Sequence, residues 1–108
     1  MKTSNKTYIR IWEFLIKPEM RNDFERIYGS EGDWAQLFWK SDEFLFTELY
    51  RDPENENRYV TIDGFRSKKG FEKILGEFKE EYDVLDRRCE VLTISERHIG
   101  DFVSWISN

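Results

Sequence analysis

Residues 8–17 alternate imperfectly between two faces that both carry bulky apolar side chains. Tyr8, Arg10, Trp12, Phe14 and Ile16 share one face, and Ile9, Ile11, Glu13 and Leu15 share the other. Two-residue alternation in β-branched and aromatic side chains predicts a strand. Both faces carry large apolar groups, so both are expected to be covered. Pro18 then opens a helix, where its missing N–H costs nothing. Met20, Phe24, Ile27 and Tyr28 supply its apolar stripe. Gly29-Ser30-Glu31-Gly32 interrupts the stripe, and Asp33 is the expected N-cap of a second helical piece over Trp34–Lys40.

Phe44–Arg51 reads as a second strand and Arg58–Phe65 as a third. The polar stretch Asp52-Pro53-Glu54-Asn55-Glu56-Asn57 joins them as the loop of an antiparallel hairpin. Ser67 is the expected N-cap of one long helix reaching Arg88. Its apolar positions are Phe71, Ile74, Leu75, Phe78, Tyr82 and Leu85, at helical spacing. Val91–Ile99 reads as a fourth strand, ended by Gly100. The segment Phe102–Ile106 is too apolar for a free end and is expected to dock on its own domain or on a partner. The order is β-α-β-β-α-β: a ferredoxin-like α+β domain with one antiparallel sheet and two helices on one face. Two helices cover only one face, and the same face of a second copy is the simplest cover for the other.

With 108 residues, the chain is one domain, with its core at about residues 8–99. Aromatic residues make up 17% of it: nine Phe, five Tyr and four Trp. That is more ring surface than a thin sheet-and-helix core needs, and some of it is expected to line a pocket or an interface. The net charge of −5 opposes a nucleic-acid surface. The third strand also lacks the basic and glycine-flanked aromatics of an RNA-recognition motif. Lys68-Lys69 and Arg87-Arg88 read as solvated helix surface. No signal-peptide pattern, no membrane-spanning run and a single cysteine, Cys89, together give the expectation of a soluble cytoplasmic protein. No metal-ligand spacing is present.

The tract Tyr59-Val60-Thr61-Ile62-Asp63-Gly64-Phe65-Arg66-Ser67-Lys68-Lys69-Gly70-Phe71 resembles the strand-three signature of antibiotic-biosynthesis-monooxygenase-like domains. There, a strand ends in an aromatic, then a charged residue, Ser, and a second aromatic a few residues on. Lys17-Pro18 resembles their first strand-to-helix corner, and Tyr28–Ala35 resembles that of a bacterial subgroup. The resemblance spans roughly residues 8–99. It implies a homodimeric α+β barrel whose sheets pack face to face. It also implies oxygenation of a small aromatic or polyketide-like molecule with no bound cofactor.

That resemblance directs attention to one strand face. Asp63 alternates there with Thr61 and Phe65. A partly buried Asp63 would be raised by burial and lowered by an arginine such as Arg10 or Arg88, which makes it the leading acid–base candidate. Its other reading is a structural ion pair. His98, the one histidine, is the second candidate proton carrier, or a surface residue. Trp12, Trp34, Phe38, Thr61, Phe65, Phe71, Phe78 and Tyr82 are the candidate substrate-binding residues; plain core is the competing role for the rings. Three positions depart from the family pattern: Phe65 replaces Trp, Phe71 replaces Tyr, and Thr61 replaces Asn. Each removes a polar handle. The departures favour an alternative reading, a non-catalytic ligand-binding or protein-interaction dimer. Haem-degrading relatives use a His on the second helix; Ser67–Arg88 contains none.

Overall fold

The computed structural model describes residues 6–105. Strand β1 is Tyr8–Ile16. A 3-10 turn over Pro18–Met20 leads into α1, Arg21–Tyr28, and α2 follows at Asp33–Phe38. Strands β2, Phe44–Arg51, and β3, Arg58–Phe65, form the hairpin. Helices α3, Lys68–Glu77, and α4, Lys79–Cys89, precede β4, Thr93–Val103. The four strands form one antiparallel sheet in the order β2-β3-β1-β4, the ferredoxin-like arrangement.

Ser67 is the N-cap of α3, its Oγ accepting from the Gly70 N–H at 2.9 Å. Several expected boundaries move: α2 ends at Phe38 and not Lys40, and β4 begins at Thr93 and not Val91, after a 3-10 turn over Glu90–Leu92. The long helix breaks at Phe78, whose φ of −118° and ψ of 31° lie outside the helical range, two residues after Gly76. Gly32, not Asp33, holds the N-cap position of α2. Asp33 instead faces two arginines, Arg26 of α1 at 3.9 Å and Arg88 of α4 at 3.5 Å, and so ties three helices together. Strand β4 does not stop at Gly100. It continues to Val103, where Phe102 pairs with Ile9 and Val103 with Tyr8. The apolar tail is thus partly a strand extension on its own sheet. Trp105 beyond it is 86% exposed, and Ile106 lies outside the described residues.

The core fills the space between sheet and helices. Phe14, Phe24, Tyr59 and Phe65 are buried there, with Leu37 and Phe38 of α2 and Ile74 of α3. Phe24 stacks on Tyr28 at 4.3 Å, and Phe65 meets Phe38 edge-on at 5.4 Å. Burying such rings contributes about 1.5–3 kcal/mol each. The opposite sheet face carries Ile9, Ile11, Leu15, Phe46, Val60 and Ile62, all half-buried. No helix of the described residues is long and apolar enough to cross a membrane.

Candidate functional site

Cross-strand pairing places the polar groups of the helix-side face in rows. Thr47 of β2, Asp63 of β3, Arg10 of β1 and Asp101 of β4 stand opposite one another and span the whole sheet. The neighbouring row is Leu49, Thr61, Trp12 and His98. Above these rows lies a cavity of about 80 Å³. Its walls include Trp12, Phe65 and Thr61 from the sheet, Trp34 and Phe38 from α2, Phe71 from α3 and Tyr82 from α4.

Asp63 keeps a little accessible surface where it meets the cavity, while protein atoms enclose its carboxyl. Thr47 Oγ1 donates to its Oδ1 at 2.6 Å. Burial pushes the Asp63 carboxyl up to about 6; the Thr47 hydrogen bond and the charge of Arg10 act against that rise. Near neutral pH this group can accept or give up a proton, as an acid–base catalyst must. The Tyr82 hydroxyl, also on the cavity, is raised by burial, with Arg10 pulling the other way. Asp86 and Glu96 add carboxylates to the cavity wall. Burial raises Glu96, and the nearby charges of Asp86 and Glu90 raise it further.

Seven of the eight candidate binding residues meet at this cavity. Phe78 does not. It is half-buried at the α3–α4 break, with the Lys40 ammonium 5.8 Å from its ring, outside the cavity wall. His98 is also off the cavity wall. Its ring stacks on Trp12 at 4.9 Å, and its Nε2 lies 2.7 Å from Asp101 Oδ1. The Trp34 indole N–H is buried with no hydrogen-bond partner; it lies near the Tyr28 hydroxyl and the Cys89 thiol without bonding to either. Cys89 is buried, and burial raises its thiol despite Arg88, so the thiolate that a nucleophile needs is disfavoured. Among the described residues no cluster of three or more His, Cys, Asp or Glu is arranged to hold a metal.

Two wall residues, Arg10 and Thr47, and Asp101 beside the wall escaped the sequence reading. Arg10 was visible only as a partner for Asp63, although a charged residue within an apolar strand face is itself a signal. Thr47 had no signal without the β2–β3 register. Asp101 was hidden by ending β4 at Gly100.

The sheet order, the helix layer and the ring-lined cavity define a ferredoxin-like α+β domain with a small, half-open site. Its fold is that of the antibiotic-biosynthesis-monooxygenase-like domains. No family model and no curated protein matches the sequence. Solved structures do match. SnoaB of Streptomyces nogalater, a cofactor-independent oxygenase, superposes with a TM-score of 0.63 at 20% identity, over 94% of this chain and 96% of that one. A candidate antibiotic biosynthesis monooxygenase from Nitrosomonas europaea gives 0.68 at 8% identity, over 92% and 91%. PA3566 of Pseudomonas aeruginosa gives 0.65 at 14% identity, over 99% and 100%.

Proposed function

We propose that this chain is a homodimeric enzyme that oxygenates a small hydroxyl-bearing aromatic or enolisable molecule without a bound cofactor. The observation that supports it is the enclosed carboxyl of Asp63, raised to about 6, on a cavity walled by aromatic rings. Asp63 takes the proton of the substrate O–H. The electron pair left behind makes the ring or enol carbon electron-rich enough to reduce dioxygen. One oxygen atom enters the substrate and the other leaves as water, so a phenol and O2 give a quinone and H2O. The substrate supplies all the electrons. Rings around the site exclude water and hold the planar substrate.

The cavity limits the substrate. Its volume of about 80 Å³ is near half of the roughly 150 Å³ that holds a benzene in an engineered protein cavity. The cavity is half-open, so a single ring is accommodated with part of it in the cavity mouth or with a wall side chain turned aside.

Oxygen uptake with a panel of single-ring phenols, hydroquinones and small enols tests this reading. The wild type should consume oxygen with at least one of them, and Asp63→Asn should cut the rate by about 10²–10⁴-fold, as loss of a general base does. No uptake by the wild type, or an unchanged rate in the variant, refutes it.

A second reading rests on the same small volume. Ligand sites commonly measure about 300–1,000 Å³, and a cavity well below that range suits a non-catalytic protein-interaction module. Trp105 and Phe102, 86% and 50% exposed, then serve as contacts for a protein partner.

A further inference from the structure

Side chains three residues apart in a regular strand point to opposite faces. His98 and Asp101 of β4 nevertheless meet on one face. Between Ile11 and Trp12 the β1–β4 register shifts: Ile11 pairs with Gly100 and Trp12 with His98, so Ile99 has no partner. This bulge re-aims the strand, a device common beside active sites. It brings both residues to Arg10.

There they form a closed cluster. Asp101 Oδ1 accepts from Arg10 Nε at 3.0 Å and lies 2.7 Å from His98 Nε2. A carboxylate only accepts, so that ring nitrogen carries the proton. Asp101 Oδ2 accepts from the Tyr8 hydroxyl at 2.7 Å. The three bonds fix the Asp101 carboxylate, and the carboxylate fixes Arg10. The guanidinium carbon lies 4.3 Å from the centre of the Phe71 ring. Arg10 is a wall of the cavity, with Tyr82 of α4 across from it. Two carboxylates flank this one cation in the same row, Asp63 on β3 and Asp101 on β4. The hydrogen bond goes to Asp101.

We propose that Asp101, fixed by Tyr8 and His98, positions Arg10 as an oxyanion anchor in the cavity and withholds it from Asp63. The inference rests on the proton-accepting role proposed for Asp63. If Arg10 paired with Asp63, the cation would be engaged and the carboxylate would be a weak base. Held apart, the two act on one ligand. The O–H bond breaks, its proton goes to Asp63, and its electron pair stays on oxygen, where the guanidinium N–H groups receive the charge. Arg10 thus selects a small ring bearing an acidic hydroxyl over a neutral ring of the same size. Asp101 is a positioning residue, acting through Arg10.

The test uses 4-nitrophenol, a single-ring phenol whose phenolate absorbs visible light. The dye is titrated with pH in the presence of saturating full-length protein, and circular dichroism checks the fold of each variant. In the wild type the bound dye should ionise at lower pH than the free dye, by about one unit, a tenfold preference for the phenolate. Arg10→Met and Asp101→Asn should both return its ionisation close to that of the free dye, and Asp101→Glu should recover part of the shift. Should Arg10→Met not fold, Asp101→Asn decides. A wild-type dye that binds but ionises as in water, or a shift that survives in Asp101→Asn, overturns the anchor and leaves the role of Asp63 standing. Absence of saturable dye binding to the wild type sinks the small-ligand reading and this inference with it.

Discussion

Arg10 stands directly opposite Asp63 across the β1–β3 ladder, yet its guanidinium bonds to Asp101 on the other side. The consequence for Asp63 is a buried carboxyl whose hydrogen-bond donor is Thr47. Its ordinary value is 3.8 and its folded value about 6. Between those two pH values the native chain holds a proton that the unfolded chain has released. Stability therefore falls as pH rises through this window, and the loss is complete above it. The gap corresponds to roughly 3 kcal/mol at neutral pH. Asp63→Asn removes the charge and keeps the shape. Denaturant unfolding should show it to be more stable than wild type at pH 7 by about 1–3 kcal/mol, with the gain shrinking toward pH 4. A variant less stable at pH 7 than wild type would contradict this account of the buried charge.

Thr47 supplies the hydrogen bond that favours the ionised form of Asp63. Valine matches its shape without the hydroxyl. In Thr47→Val the Asp63 titration should therefore move up, to a midpoint above the wild-type value of about 6. Carbon-13 NMR of the side-chain carboxyl reads that midpoint directly. A midpoint that stays put or drops would show that the hydroxyl does not donate to the carboxylate in solution. If Asp63 is the base, the pH–rate profile should move with it.

Much of this arrangement could be read from the chain. Alternation in Tyr8–Lys17 and Arg58–Phe65 located the strands and the face on which Asp63, Thr61 and Phe65 sit. Helical spacing located the layer that brings Trp34, Phe38, Phe71 and Tyr82 over that face. What stayed hidden depended on register. Pairing decides that Thr47 meets Asp63 and that Arg10 lies between two carboxylates, and the exact register depends on loop geometry and bulges that the residue pattern alone does not resolve. The β4 bulge hid Asp101 for a related reason. A glycine in a strand pattern reads equally as an end or as an irregularity; here Gly100 pairs with Ile11 and the strand continues. Phe78 misled because its helical period is correct, while the break at that residue turns it out of the cavity wall.

Gly32 marks a second place where a local signal carried a structural demand. It reads as a loop residue, but a Cβ there would lie 2.3 Å from the carbonyl oxygen of Arg26 and 2.4 Å from that of Ile27. Both obstacles are backbone atoms at the end of α1 and cannot swing aside. The α1–α2 corner needs this close approach, since it sets α2 and with it Trp34 and Phe38. Gly32→Ala should cost about 1–3 kcal/mol, as overpacking does, measured as a lower denaturant midpoint with an unchanged slope. An alanine variant as stable as wild type would mean that the corner relaxes freely.

The open sheet face supplies the final prediction. Its rows run Phe46, Gly64, Ile9 and Phe102, then Glu48, Ile62, Ile11 and Gly100. The ring of Phe46 lies over Gly64, where any Cβ would meet it at 2.3 Å, so the glycine lets a large apolar side chain lie flat on the sheet. Beside this patch Glu13 accepts from Arg58 and from Arg97, which hold its carboxyl below the usual carboxylate range. These three charges largely satisfy one another, and apart from Glu48 at the β2 edge the two rows are apolar, which suits an interface with a second copy related by a two-fold axis. In that dimer Ile62 lies within the apolar patch. Ile62→Glu would place an unpaired carboxylate there, and its burial would weaken the dimer by about 3 kcal/mol or more, a hundredfold or greater rise in Kd. Light scattering coupled to gel filtration at micromolar concentration should give twice the chain mass for the wild type and the single-chain mass for Ile62→Glu. The charge stands on the solvent-side face of the isolated sheet, so the variant should still fold. A monomeric wild type, or a variant that stays dimeric, would show that this face is not the interface.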